Sequence, residues 1–147
     1  MTKISVCSRS FSRHPTLRRE LLERFDDVTF NDEGERLTGD DLIRFLGGHE
    51  RAITATERLD DRVFAAVPEL KVISKYGVGF DMIDIDAMAR RGIKLGWTGG
   101  VNKRAVSELV IACIISLLRH VPEANAEVRN GGWRQHKGRQ LSEQTIG

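Results

Sequence analysis

Apolar positions in the first hundred residues fall into short blocks that alternate between two spacings. Ile4-Ser5-Val6-Cys7, Val28-Thr29-Phe30, Ala52-Ile53-Thr54-Ala55, Lys71 to Ser74 and Ile93-Lys94-Leu95 are brief, strand-length runs. Between them, apolar residues recur at helical spacing. Pro15 opens a helix with Leu17, Leu21, Leu22 and Phe25 on one face, and Thr38 is placed to cap a second helix carrying Leu42, Ile43 and Leu46, which Gly47-Gly48 stops. Asp60 caps a short helix from Asp61 to Val67 closed by Pro68, and Asp84 or Asp86 starts another that Gly92 ends. Five strands alternating with four helices predict an α/β fold with a doubly wound parallel sheet, because parallel neighbours need helical crossovers.

The pattern changes after the fifth strand. Gly96 to Asn102 reads as a loop, with Asn102 placed to cap a long helix over Lys103–Val121. Val106, Val110, Cys113, Leu117 and Val121 mark one face, yet Leu109, Ile111, Ala112, Ile114, Ile115 and Leu118 leave little polar surface elsewhere. A helix apolar nearly all round is expected to be buried nearly all round, with the sheet on one side and a second domain or second copy on the other. Pro122 starts a further helix, Glu123 to Asn130, ended by Gly131-Gly132. The remainder is polar and basic, and Leu141 to Gly147 looks like a turn entering a strand with nothing after it to pair with. The expected division is therefore 1–98 and 99–147, with the architecture continuing past the last residue.

Composition narrows the class. The 147 residues are 40% apolar and 30% charged, the balance of an ordinary globular chain. Net charge is +2, with seven Lys/Arg against four Glu from Val101 to Gly147, so the basic surplus lies in the last third. Seven cations spread over that length, even with Trp133 beside them, read as a solvated surface rather than a nucleic-acid interface. Cys7 and Cys113 are far apart and suit reduced, buried thiols better than a disulfide or metal site. The start of the chain has no apolar h-region, and Leu109 to Leu118 is too short to span a bilayer, so a cytoplasmic protein without membrane contact is expected.

Chemistry concentrates in Ser74 to Asp84. Gly77-Val78-Gly79 sits where a strand hands over to a helix, at the sheet edge where open α/β folds bind ligands. It is not a dinucleotide fingerprint: the third glycine is replaced by Met82, no acidic residue stands about 20 positions on, and Asp81 and Asp84 would repel a pyrophosphate. A small carboxylate suits it better, held by successive backbone N–H groups with Lys75 or Tyr76 adding contacts. Asn102, projecting from the same sheet edge, can complete such an anion site. His14, His49, His120 and His136 lack a carboxylate or nucleophile at catalytic spacing and read as structural or solvated, His120 favoured by a helix-end dipole.

These residues resemble a known family. Lys75 to Asp84, Ala87 to Ile93, Gly100-Val101-Asn102, Val106 to Leu109, Val121 to Ala126, Gly132-Trp133 and Gly138 to Leu141 are similar to the D-isomer-specific 2-hydroxyacid dehydrogenases, with the phosphoglycerate dehydrogenase branch looking nearest. The similarity is strong from about Leu70 onward and weaker before it. It implies a flavodoxin-like substrate-binding domain over 1–98, then crossover helices and the start of an incomplete nucleotide-binding domain over 99–147. Tyr76, Gly77, Val78 and Gly79 would hold the carboxylate of a 2-hydroxy or 2-oxo acid, with Asn102 on the substrate side and Val106 near the nicotinamide. NAD or NADP would serve the full-length family without being bound by this chain alone. No residue here matches the family's catalytic arginine, glutamate or histidine, so the chain by itself is expected to be inactive. The Lys103–Val121 helix would form a homodimer interface. Ser107 and Gly99 depart mildly from the family pattern. The alternative is a non-catalytic binding or assembly module that associates through its apolar helix.

Overall fold

The two spacings resolve, in a computed structural model describing residues 2–146, into five strands and seven helices. In order these are β1 (Ile4–Val6), α1 (Arg9–Ser12), α2 (Pro15–Leu22), β2 (Val28–Phe30), α3 (Gly39–Leu46), β3 (Arg51–Thr54), α4 (Asp61–Ala66), β4 (Val72–Lys75), α5 (Ile85–Arg90), β5 (Lys94–Gly96), α6 (Lys103–Leu118) and α7 (Val121–Arg129). The strands form one sheet in the order β2-β1-β3-β4-β5, every pair parallel. The doubly wound α/β architecture is therefore present. By contact the chain divides into two compact units, Met1–Gly99 and Gly100–Gly147.

The first unit holds the core. Ser5, Ala52, Ile73 and Leu95 lie in cross-strand register, so their side chains share one face of the pleat. Against Ala52 and Ile73 pack Leu42 and Leu46 of α3, Val63 and Phe64 of α4, and Ala87 and Met88 of α5. Leu42, Leu46, Phe64 and Ile73 are fully enclosed, each contributing about 1.5–3 kcal/mol by burial. This layer fixes the strands and leaves their carboxyl ends free to carry loops.

The termini of the elements refine the sequence reading. Asp60 and Asp84 do cap α4 and α5, accepting from the N–H of Val63 and Ala87. Thr38 occupies the N-cap of α3 without a side-chain bond, because Gly39 follows it at φ +51, outside the right-handed region a first helical residue needs for capping. Helix α1 was not anticipated: four residues are too few to show periodicity, and Ser8 and Ser12, which organise it, read as loop residues. Strands β3, β4 and β5 each sit one residue from the expected span, and no residue of α2 is fully buried.

The second unit departs further. Helix α6 ends at Leu118, and α7 begins at Val121 after His120, which adopts a left-handed φ of 53. His120 thus precedes the N-terminus of α7 rather than simply finishing a helix. None of the α6 side chains is buried, with Leu109 64% and Leu117 70% exposed, so the described residues of its own unit do not enclose this apolar helix. Cys113 on α6 is likewise exposed, against expectation, while Cys7 is buried. The peptide at Gly138-Arg139 lies on the end of α6, Arg139 N–H donating to Leu118 at 2.9 Å. Residues 141–143 form a bend and turn, and the strand expected after them is not formed among the described residues. No single described helix is long and apolar enough to cross a membrane; α6 and α7 reach that length only jointly, across a 62° bend.

Candidate functional site

Three loops leave the carboxyl ends of adjacent strands β1, β3 and β4 in the first unit, and backbone bonds tie the β3 and β4 loops together. The β4 loop starts where Tyr76 N–H donates to Thr54 C=O at 2.7 Å, tying it to the end of β3. It is closed by Ile83 N–H on Phe80 C=O and by mutual bonds with Leu59, whose N–H donates to Met82 and whose C=O accepts from Asp84. Between these anchors Gly77 takes a φ of +124, which a side chain rarely tolerates, and a Cβ there would also approach Lys75 Nζ to 3.1 Å. The amides of Gly77, Val78 and Gly79 have no hydrogen-bond acceptor among the described residues.

Aromatic side chains hold this loop. Trp97, just beyond β5, donates its Nε1 hydrogen to Val78 C=O at 2.8 Å and meets Phe80 edge to face at 5.0 Å. Tyr76 meets Phe11 of α1 edge to face at 5.4 Å. Such pairs add about 0.5–1.5 kcal/mol beyond their buried area, enough to favour one loop conformation.

Charge beside the loop comes from Lys75, Glu57 and the loop's own Asp81, whose carboxylate stands beside Gly79. Lys75 donates to Tyr76 C=O at 3.2 Å, and partial burial lowers its pKa against the opposing pull of Glu57 and Asp81. Glu57, only 8% exposed, accepts from Ala55 N–H at 2.6 Å. Burial pushes the Cys7 thiol far up, with Glu57 adding to the effect and a hydrogen bond with Ser5 opposing it, so Cys7 is no nucleophile. The Thr54 hydroxyl is buried without a partner among the described residues.

Tyr76, Gly77, Val78 and Gly79 are thus together on one loop. Asn102 and Val106 belong to the second unit, one turn apart at the start of α6, where Val106 N–H donates to Asn102 C=O at 3.0 Å. Asn102 stands at the N-cap, but its side chain makes no capping bond, and Val106 is 48% exposed. The histidines hold structural or surface contacts: His14 caps α2, His49 bonds Thr29 Oγ1, and His136 lies 3.4 Å from Glu127. No metal-ligating cluster occurs among the described residues.

Trp97 and Glu57 were missed in the sequence. A tryptophan following a strand that points at a glycine turn was the one available signal, whereas the burial of Glu57 depends on the β3 loop folding over it.

The Gly77–Gly79 turn lacks the dinucleotide fingerprint. Met82 occupies the third-glycine position with its side chain packed on the core, and the second unit has no strand among the described residues.

Comparison with known proteins bears on the fold. The model of the D-isomer-specific 2-hydroxyacid dehydrogenase catalytic domain matches residues 6–144. The glyoxylate reductase/hydroxypyruvate reductase of Homo sapiens is 34% identical over 123 residues, covering 79% of this chain and 38% of the relative. That of Mus musculus is 36% identical over 108 residues, covering 69% and 33%. An NAD+-bound 3-phosphoglycerate dehydrogenase from Entamoeba histolytica superposes with a TM-score of 0.68 at 25% identity, over 95% of this chain and 43% of that one. The chain therefore spans less than half the length of each of these proteins.

Proposed function

The chain belongs to the D-isomer-specific 2-hydroxyacid dehydrogenases, and from that premise we propose that it is the substrate-binding portion of an NAD(P)-dependent D-2-hydroxyacid dehydrogenase. In this reading Met1–Gly99 is the substrate domain, and the remainder carries crossover helices into a nucleotide-binding domain. Tyr76, Gly77, Val78 and Gly79 hold the carboxylate of a small 2-hydroxy or 2-oxo acid, with Asn102 and Val106 serving the substrate and nicotinamide sides. The observation that carries the reading is the run of three uncommitted amides at Gly77, Val78 and Gly79, on a loop pinned at both ends. Donors fixed before a ligand arrives favour an anion without further ordering cost. Lys75 adds positive charge beside them.

The test is a titration of 15N-labelled chain with glyoxylate or pyruvate. Saturable shifts centred on the amides of Gly77, Val78 and Gly79, absent in Gly77→Val, are expected. Shifts scattered over the chain, or none at millimolar acid, would refute the assignment. Residues 1–147 contain neither a Gly-x-Gly-x-x-Gly fingerprint nor a match to the family's catalytic arginine, glutamate and histidine. The chain alone is accordingly expected to give no NAD(P)-linked turnover, the missing parts being those that supply cofactor binding and proton transfer. A cytoplasmic setting is part of the same proposal, in keeping with two free cysteines.

A second reading, association through α6, is favoured by the exposure of Leu109, Val110, Ile111, Ile115 and Leu117. It is compatible with the first, since a homodimer would cover the same face.

A further inference from the structure

Amides at Gly77, Val78 and Gly79 can capture a carboxylate only while they face it, and two of the three peptides that carry them are able to turn over. A peptide that ends on a glycine can rotate by about 180°, since glycine accepts either sign of φ. Rotation exchanges the places of N–H and C=O, so a donor offered to an anion becomes an oxygen that repels it. Tyr76–Gly77 and Val78–Gly79 are both peptides of this kind.

Each of the two has a side-chain donor on its carbonyl oxygen. Trp97 Nε1–H donates to Val78 C=O at 2.8 Å, and Lys75 Nζ donates to Tyr76 C=O at 3.2 Å. The intervening Gly77–Val78 peptide ends on no glycine, and no side chain among the described residues donates to its oxygen. The Trp97 bond is the shorter, and the indole is bounded on two sides. Phe80 meets it edge to face at 5.0 Å, and at Gly99 a Cβ would stand 2.8 Å from Trp97 Cη2. The indole thus occupies the space that a side chain at 99 would need, which accounts for glycine at this departure from the family pattern. A bond accepted by a peptide oxygen also polarises the N–H of the same peptide and strengthens it as a donor. Asp81 already sets a negative charge beside Gly79, so a Val78 oxygen turned into the cradle would leave the turn repelling an anion.

We propose that Trp97 is a positioning residue for carboxylate capture: by holding the Val78 oxygen, its indole N–H keeps the Gly79 amide facing the ligand, and Gly99 leaves room for the indole to do so. The assignment rests on the carboxylate reading of Gly77–Gly79 and gives Trp97 a part in binding without contact to the substrate.

Two-dimensional 15N spectra of the full 147-residue chain, with and without glyoxylate, test this role. Without ligand, the Overhauser effects across the Val78–Gly79 peptide are expected to describe one orientation in the parent and in Trp133→Phe, which alters an exposed tryptophan of the other unit. Trp97→Phe keeps a ring against Phe80 but removes the donor, and Gly99→Ala displaces the indole. Both are expected to add a second orientation or replace the first. With glyoxylate, the Trp97 indole N–H signal, told from that of Trp133 by Trp133→Phe, should move along the same saturation curve as the Gly79 amide. Affinity should fall about three- to tenfold in Trp97→Phe, as the loss of one neutral hydrogen bond implies. A tryptophan that merely stabilises the fold would lower the urea midpoint on substitution and leave the peptide orientation and the indole signal unmoved, and that result overturns the proposal. Parent binding of glyoxylate with unchanged affinity in Trp97→Phe overturns this role alone. No binding of glyoxylate by the parent overturns the carboxylate reading and this role with it.

Discussion

Asp84 and Asp86 stand two positions apart, and either has the right chemistry to start α5, but only Asp84 accepts from Ala87 N–H, at 2.9 Å. Asp84→Ala is therefore expected to cost about 1 kcal/mol, read as a lower midpoint in urea, and Asp86→Ala less than half as much. The two thiols separate just as clearly. Cys113 should react with a disulfide reagent in the folded chain, whereas Cys7, buried with its pKa driven up, should react only on unfolding. The same shift has a pH consequence. Folded Cys7 keeps its proton above the ordinary thiol value of 9.0 while the unfolded thiol ionises, so stability is full below about pH 9 and declines as pH rises beyond it. Urea titrations at pH 8 and pH 10 should show a smaller alkaline loss for Cys7→Ala than for the parent chain. At this scale the sequence was readable where a side chain acts on its own neighbours, as Asp60 and Asp84 do. It was not readable where backbone geometry intervenes, as Gly39 does at Thr38, or where burial depends on distant loops, as for Glu57 and the exposed Cys113.

Among elements, α6 shows how far pattern alone reaches. Its apolar circumference correctly marks it as a helix, and its span is right to within three residues. Periodicity could not say what covers it, because the covering surface is not coded in the helix itself. Leu109, Ile111, Ile115 and Leu117 are 44–70% exposed in this chain, and enclosing each contributes up to about 1.5–3 kcal/mol before association costs. That is enough for association at micromolar concentration. Sizing at low micromolar chain should give a dimer or larger species, and Ile111→Glu or Ile115→Glu should shift it toward monomer at least tenfold in dissociation constant. A parent chain that elutes as a clean monomer, with stability unmoved by either substitution, would remove the interface. The short α1 is the opposite case. It carries no period at all, yet it serves the loop after β4, since Phe11 braces Tyr76.

Across the whole molecule, stability and chemistry are distributed unequally. Every buried apolar residue among those described lies between Ile4 and Ile93, and the Gly100–Gly147 unit contributes none. The five-strand sheet with α3, α4 and α5 on one face is a complete core by itself, so residues 1–99 expressed alone should unfold cooperatively in urea, and Phe64→Ala should remove about 3–5 kcal/mol from that transition. A gradual, non-cooperative loss of structure would show that the second unit is needed for folding. The outcome also bears on function. If 1–99 folds, the amide shifts expected on adding glyoxylate can be sought with and without 100–147. Retention of the Gly77–Gly79 shifts in the shorter chain would assign carboxylate capture to the sheet edge alone, leaving Asn102 and Val106 to orient what the loop has already bound. Their loss would make the start of α6 part of the binding step itself.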